Sequence, residues 1–407
     1  MKILDEVTPS PWEERRVQKK VNKFLAQLDK SLKGVEIELG GSFAKETWLK
    51  GNHDIDIFIK FPLTKRNLDL SKALEKQLSS FNFTRIHGSR DYFQIRKGRY
   101  TFELIPVYNI TGAKQARNIT DVSPLHTLWV KENNKEPGQI RMVKKFVKAQ
   151  NLYGAESHIK GFSGYVLEIL TSHYKTFFDL VKNAANWKPL QIIDTQNYYS
   201  SKDKAIKAIN KSKLSSLLII DPVQKDRNAS AALSEENFKK FVEICQNFIK
   251  NPSEEYFKEA TINMSALKSK AEGNILAIMQ VNPLEGKNDV VGSKILKVLT
   301  YINSKLISEG FSVLEFDWRW KSKAILWFII KDETLSKLKR HYGPPVKEEK
   351  HLEQFKRKWQ DYELLQDNHR YYIELDREHR TANSFIKSLM EDGYIKYNVK
   401  KIKLKLY

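Results

Sequence analysis

Asp54-Ile55-Asp56-Ile57-Phe58 sets two carboxylates two positions apart in a stretch that reads as a strand. Side chains alternate across a strand, so Asp54 and Asp56 share one face, while Ile55, Ile57 and Ile59 line the other and pack into a core. Carboxylates held together repel, by about 4 kcal/mol at ~4 Å and an effective dielectric of about 20. A cation removes that conflict, and a set of hard oxygen ligands suits Mg²⁺, which also takes substrate phosphates into its shell. Gly40-Gly41-Ser42, eleven residues upstream of Asp54, supplies the phosphate side. Glycines let backbone approach closely, N–H groups at a following helix start favour anions, and a Ser hydroxyl donates. A D-x-D pair alone is equally two solvated acids; the glycine turn before it points to phosphate chemistry.

The residues Tyr92-Phe93-Gln94-Ile95-Arg96 read as a strand that turns at Lys97-Gly98 and returns as Tyr100 to Ile105. Glu103 lies on the return strand, where its plain reading is an exposed strand residue.

The elements around these residues are legible in outline. Ser10-Pro11-Trp12-Glu13 reads as a capping box with Pro at the first helical position. Val17, Val21, Phe24, Leu25, Leu28 and Leu32 follow at helical spacing until Lys33-Gly34. Val35 to Leu39 alternates as a strand that runs into the glycine turn, Phe61-Pro62-Leu63 closes the carboxylate strand, and Leu68 to Phe81 reads as a helix on the sheet. Asn133 to Gln139 and Asn251-Pro252-Ser253 read as boundaries. Between them Ile140 to Gln150 is an amphipathic helix with Lys144, Lys145 and Lys148, and Ser234-Glu235-Glu236 starts another, down to Lys250.

Beyond the second boundary, strands over Ile275–Met279, Phe311–Phe316 and Ala324–Ile330 and a helix over Val290–Leu306 give a βαββ order. That order predicts a small ferredoxin- or RRM-like α+β layer, without an RNP1 consensus. Lys396 to Lys405 carries five lysines and no acid, alternating with Val399, Ile402 and Leu404 as a basic edge strand would. Phe355-Lys356-Arg357-Lys358-Trp359 interleaves aromatic and basic residues, as nucleic-acid contacts and solvated amphipathic helices both do.

Gly-Ser, eleven residues, then Asp-Ile-Asp between apolar residues resembles the signature of the polymerase β-like nucleotidyltransferase superfamily. The longer run Gly40 to Gly51 resembles the class I, archaeal-type CCA-adding enzymes, which are tRNA nucleotidyltransferases. Later stretches extend the resemblance. Glu103-Leu-Ile-Pro-Val-Tyr108 stands where the family carries Asp-Val-Val-Pro-x-Tyr, so Glu replaces Asp at the third carboxylate. Asp121-Val-Ser-Pro-Leu-His126 is similar to Asp-x-Thr-Pro-x-His; taken alone it could be a helix start capped by Ser123. Leu152 to Glu156 and Lys160 to Leu170 match long family stretches, and Asp221 to Ser234 is similar to Asp-Pro-x4-Arg-Asn-x-Ala-x-x-Leu-Ser. Arg340 to Pro345 looks like the family's Gly-Pro turn, Tyr371 to Arg377 like its last aromatic-rich strand, and Ala382 to Leu389 like the start of its final helix.

The resemblance implies an α+β multidomain chain: a nucleotidyltransferase palm over 1–135, a helical central domain over 136–252, and an α+β tRNA-binding region over 253–407. It implies serial addition of C, C and A to tRNA 3′ ends from CTP and ATP, without a nucleic-acid template, on two Mg²⁺ ions held by Asp54, Asp56 and Glu103. It places Gly41, Ser42, Lys45, Lys144 and Tyr153 at the triphosphate and sugar, and gives Ser123 and His126 as hydrogen-bond donors. Arg227 matches the arginine that reads the base, its planar guanidinium being suited to C O2/N3 or A N1. Plain readings stand beside these: His126 as an ordinary helix residue, Tyr153 as a helix-end packing residue, Arg227 as a loop tie.

Composition agrees with such a partner. Lys and Arg number 70 against 49 Asp and Glu, a formal charge of +21 spread along the chain, which suits nucleic acid or an anionic surface. No apolar run spans a bilayer, the N-terminus shows no secretory h-region, and Cys245 is the lone cysteine, on an apolar helix face that predicts a buried, inert thiol. A cytoplasmic protein is expected, contacting the acceptor stem and T arm of tRNA, with a homodimer left open. The rival expectations are a poly(A)- or poly(U)-type polymerase, and a tRNA-binding protein with a degenerate head, for which the Glu at 103 is the motive.

Overall fold

The computed structural model describes every residue except Met1, Arg66, Ala260, Ser322 and Asn368. The chain forms two compact units, Met1–Ala260 and Thr261–Tyr407.

In the first unit, helices α1 (Lys2–Val7) and α2 (Pro11–Ser31) precede strand β1 (Glu36–Leu39), and a one-turn helix α3 (Gly41–Ala44) joins it to β2 (Asp54–Phe61). Then follow α4 (Leu70–Gln77), β3 (Thr84–Ile86), β4 (Tyr92–Lys97) and β5 (Tyr100–Tyr108). The sheet order is β1-β2-β5-β4-β3, with β2 and β5 parallel and the other pairs antiparallel. Ile55, Ile57 and Ile59 are wholly buried, and they pack with Val17, Val21, Phe24 and Leu28 of α2. That packing presses α2 on one face of the sheet and leaves the other face to Asp54, Asp56 and Glu103.

Ser10 caps α2 by accepting from the Glu13 amide at 3.2 Å, but the capping box is only half formed. The Glu13 carboxylate turns instead to the Gly51 amide, 3.1 Å away, and so ties the helix start to the loop before β2. The helix on the sheet is shorter than the sequence pattern predicts, because Asp69 caps it by accepting from the Lys72 amide at 3.1 Å. Val122, not Ser123, stands at the N-cap of α5 (Ser123–Asn133); Ser123 and Pro124 already have helical backbone.

Next come α6 (Pro137–Ala149), α7 (Gly164–Tyr174), α8 (Phe177–Ala184), a three-stranded sheet of β6 (Gln191–Ile193), β7 (Leu217–Asp221) and β8 (Gln224–Asn228) with α9 (Lys202–Ala208) between, and α10 (Glu235–Lys250). Their core is aromatic, with Phe146, Phe177, Phe248 and Phe257 meeting edge to face or tilted. Cys245 is buried among these apolar residues, and burial pushes its thiol up, so the expected inert thiol is what the structure holds. Ile3 and Val7 of α1 also join this second core rather than that of the sheet.

The second unit opens with α11 (Met264–Lys270), β9 (Asn274–Asn282), α12 (Asn288–Glu309), β10 (Val313–Trp320) and β11 (Ala324–Lys331). An inserted layer follows: β12 (Leu338–Pro345), α13 (Glu349–Lys358), β13 (Leu365–Gln366) and β14 (Arg370–Asp376). The chain then returns through α14 (Ala382–Leu389) and α15 (Gly393–Asn398) to β15 (Lys401–Leu406). The sheet order β10-β11-β9-β15, antiparallel throughout, is that of the ferredoxin-like plan, with β12 to β14 forming a separate sheet. Two expectations need correction here. Arg340 to Pro345 is a strand paired with β14, irregular between Tyr342 and Pro345, and not a turn. Ala382–Leu389 is not the last helix, since α15 and the edge strand β15 follow it. Among the described residues no helix is long and apolar enough to cross a membrane.

Candidate active site

Register decides the carboxylates. In the parallel pair β2–β5, Asp56 lies directly beside Glu103, and Asp54 beside Thr101. Glu103 is steadied from the next strand, where the Gln94 amide donates to its Oε1 at 2.7 Å. The Asp56 carboxyl is pushed up to about 7, by burial first and next by Glu103; Lys45 opposes the shift, and Asp54 and Glu168 add to it. The Tyr92 hydroxyl is pushed up to about 12, by burial and then by Glu103 and Asp56, which marks it as a neighbour the sequence pattern did not single out.

The glycine turn closes on this group. Gly40 donates its amide to the Asp56 carbonyl at 2.9 Å. Gly41 has φ +59°, and a Cβ there would lie 1.5 Å from Asp56 Oδ2. Only glycine permits that approach.

Among the described residues no three His, Cys, Asp or Glu side chains are grouped tightly enough to hold a metal ion as they stand. The donor chemistry nevertheless fits a hard divalent cation. The donors present are carboxylate oxygens, and after burial it is Glu103, with Asp54 adding to it, that pushes the Asp56 carboxyl up, a repulsion a cation would relieve.

A second group lies on the loop after α3 and on the helices α6 and α7. Lys45 donates to Glu168 Oε2 at 2.6 Å, and Lys144 donates to Glu168 Oε1 at 2.8 Å. The Thr47 hydroxyl donates to the same Oε1 at 2.8 Å. Burial works against the Glu168 charge, but the two ammonium groups outweigh it and hold the carboxyl down to about 2. Burial likewise lowers Lys144, against the pull of Glu168. The Tyr153 hydroxyl and the Lys144 stem meet over Gly164, where a Cβ would stand 3.0 Å from that hydroxyl. Burial raises the Tyr153 hydroxyl strongly, so it remains a donor. Ser42 is half-buried in α3, and its carbonyl accepts from the Thr47 amide at 2.9 Å.

The third group centres on Asp221, at the end of β7 and wholly buried. Its carboxylate faces His126 Nε2 at 3.1 Å, pairs with the Arg227 guanidinium, and accepts from the Tyr165 hydroxyl at 3.2 Å and the Val223 amide at 3.0 Å. His126 and Tyr165 stack, ring centroids 4.0 Å apart. Burial lowers the His126 imidazole and Asp221 opposes this, so Asp221 both orients the ring and favours its proton. Ser123 stands apart from these contacts; its carbonyl accepts from the Thr127 hydroxyl at 3.3 Å. Its neighbour Asp121 is buried and structural: it pairs with Arg90 and accepts from the amides of Tyr108, Arg117 and Asn118.

Apart from Ser123, which joins none of them, the sequence-predicted residues fall into three groups: Asp54, Asp56, Glu103 and Gly41; Lys45, Lys144 and Tyr153, with Ser42 on the adjoining turn; and His126 with Arg227. Sequence reasoning missed Glu168 and Asp221, the two carboxylates on which the last two groups are built. Glu168 did leave a signal, as a lone acid inside the apolar helix run Tyr165 to Leu170. A charge in such a place needs a partner.

Three family models match the chain: "nucleotidyltransferase domain" over residues 18–89, "tRNA nucleotidyltransferase, second domain" over 138–258, and "CCA-adding enzyme, C-terminal domain" over 273–401. A CCA-adding enzyme of Nanoarchaeum equitans is 32% identical over 378 residues, covering 91% of this chain and 91% of that one. One of Methanothermobacter thermautotrophicus is 31% identical over 408 residues, covering 95% and 87%. Among solved structures, a cytoplasmic RNA terminal U-transferase superposes with TM-score 0.50 at 12% identity, over 64% of this chain and 97% of that one. The Cid1 poly(U) polymerase superposes with TM-score 0.50 at 11% identity over the same shares, a likeness of fold.

Proposed function

The chain belongs to the family of archaeal CCA-adding enzymes, the tRNA nucleotidyltransferases, and from that membership we propose that its site transfers CMP twice and AMP once, from CTP and ATP, to a tRNA 3′ hydroxyl. One observation carries the reading to particular atoms. Gly41 approaches Asp56 so closely that the phosphate-binding turn and the carboxylates become one place, with Glu103 beside them.

Asp54, Asp56 and Glu103 would hold two Mg²⁺ ions. Bound there, divalent cations lower the pKa of an attacking hydroxyl and offset charge on the reacting phosphates. The amides and hydroxyl of Gly41-Ser42 and the Lys45 and Lys144 ammonium groups take the triphosphate, and Tyr153 donates to it or to the sugar. His126, held by Asp221, would serve as a further donor to the nucleotide, and the same role for Ser123 rests on the family motif alone. Arg227 reads the base edge, held by Asp221, which leaves its remaining N–H groups to the nucleotide. The basic chain holds the acceptor stem and T arm by backbone charge and A-form shape, with no sequence readout. Action in the cytoplasm fits a chain whose lone cysteine is buried. The reading admits a homodimer, which sedimentation velocity checks.

The test uses the purified chain, Mg²⁺, and tRNA lacking its CCA end, with each nucleotide alone and in combination, read at single-nucleotide resolution. CTP alone should extend by two, CTP with ATP by three, and extension should then stop. A homopolymer tail of A or U would reassign the chain to a poly(A)- or poly(U)-type activity. No Mg²⁺-dependent incorporation would leave a tRNA-binding protein with an inactive head.

A further inference from the structure

Glu168 is 1% exposed, on α7, and one carboxylate there accepts from two ammonium groups and a hydroxyl. Thr47 bridges the set: its hydroxyl donates to Glu168 and accepts from Lys144 at 2.9 Å, and its carbonyl accepts from Lys144 at 3.3 Å. Thr47 and Lys144 are themselves buried, at 1% and 3% exposure. Tying α7 to the loop after the glycine turn needs only one lysine. A second ammonium repels the first and must also be desolvated, so as pure scaffolding it works against stability. Two lysines on one carboxylate instead leave the cluster one net positive charge, next to Asp56, whose own charge feels both Lys45 and Glu168.

We infer that Glu168 is a positioning residue of the triphosphate pocket: it holds the Lys45 ammonium for a polyphosphate, with the buried Lys144 ammonium behind it as charge, and does not itself touch the nucleotide. This rests on the nucleotidyl-transfer reading above. Without the Glu168 charge, Lys144 is a buried ammonium with no counter-ion and gives up its proton, while Lys45 is free to swing toward solvent. A polyphosphate then feels one cation fewer, and the other is mobile.

The probe is inorganic tripolyphosphate, bound to the full chain and measured by calorimetry, beside CTP kinetics on tRNA. Glu168→Gln keeps the shape and removes the charge. Its Kd for tripolyphosphate and KM for CTP should rise about tenfold or more, the worth of one charge-assisted hydrogen bond. The loss should fall on KM more than on kcat, and tRNA affinity should not change. Adding Lys45→Met to Glu168→Gln should cost less than Lys45→Met costs alone, because the two share one interaction. A folded Glu168→Gln chain with unchanged Kd and KM and only a lower melting temperature would make the residue scaffolding and overturn the inference. Tighter tripolyphosphate binding would overturn it the other way, making Glu168 a competitor of the substrate.

If Glu168→Gln does not fold, Thr47→Val decides. Removing that hydroxyl loosens both Glu168 and Lys144, so Kd and KM should rise about threefold, the lower end of one hydrogen bond's worth; no change overturns the inference. A wild-type chain that binds tripolyphosphate yet adds no nucleotide counts against the transfer reading alone, and the variants are then compared by calorimetry.

Discussion

At the residue scale the carboxylates are a conflict kept for function. Asp56 has its carboxyl raised from 3.8 to about 7. Between about pH 4 and 7 the folded chain therefore keeps a proton there that the unfolded chain has lost, so through this group stability falls as pH rises through 7. Asp56→Asn should melt higher than wild type at pH 8 without divalent cation, and the difference should vanish near pH 4. Mg²⁺ should stabilise wild type more at pH 8 than at pH 6, because the cation and the proton compete for one carboxylate. Melting curves across that range check both signs, and an Asn variant that melts lower at pH 8 would contradict them. Addition of nucleotides should be abolished by the same substitution. Glu103→Gln is a clean companion, since its amide oxygen can still accept from Gln94. It should lose at least about 10²-fold in rate, because a neutral amide can neither take a proton nor balance a cation, whereas Glu103→Asp should stay active. On the base side, Asp221→Asn leaves Arg227 and His126 with a neutral partner. It should raise misincorporation of UTP and GTP and cost about 1–3 kcal/mol of stability, read by sequencing the products and by urea unfolding.

At the element scale the turn between β1 and α3 has the narrowest tolerance. Ala at position 41 would bring a Cβ 1.5 Å from Asp56 Oδ2 on a backbone of φ +59°. The left-handed conformation alone costs an L-residue about 1–2 kcal/mol, and the collision must move β2 or the carboxylate as well. Gly41→Ala should lose at least about 10²-fold in kcat/KM, the scale expected when reacting groups shift by an ångström, while tRNA affinity holds. An active Gly41→Ala enzyme would separate the turn from the carboxylates. The strand β15 is constrained differently. Ile402, Leu404 and Leu406 pack on the core of the second unit while Lys401, Lys403 and Lys405 are exposed. Truncating it would strip that core, so its charge is tested by substitution.

At the scale of the whole chain, a net charge of +21 carries the prediction for tRNA. The log–log dependence of affinity on salt should have a slope of about −4 to −8, or roughly five to nine phosphate contacts at ~0.9 each. Changing Lys401, Lys403 and Lys405 together to Gln keeps the strand and removes three charges. If the strand touches RNA the slope should shrink by up to about three units. An unchanged slope with increased aggregation would instead assign these lysines to guarding an exposed sheet edge.

Local spacing was enough for whatever depends on near neighbours: the alternation that puts Asp54 and Asp56 on one face, the glycines before them, the Ser10 cap, and the βαββ order of the second unit. The motif stretches named Lys45, Lys144, His126 and Arg227, but not what holds them. Tertiary structure decided the pairing of Asp56 with Glu103, which needs the parallel register of β2 and β5. It also turned Arg340–Pro345 from an apparent turn into a strand, because β14 offered a partner. Glu168 meets Lys45 across 123 positions, and Asp221 meets His126 across 95. No local spacing encodes such contacts: a buried charge requires a partner, but which remote segment brings it is settled only when the helices pack and water is expelled.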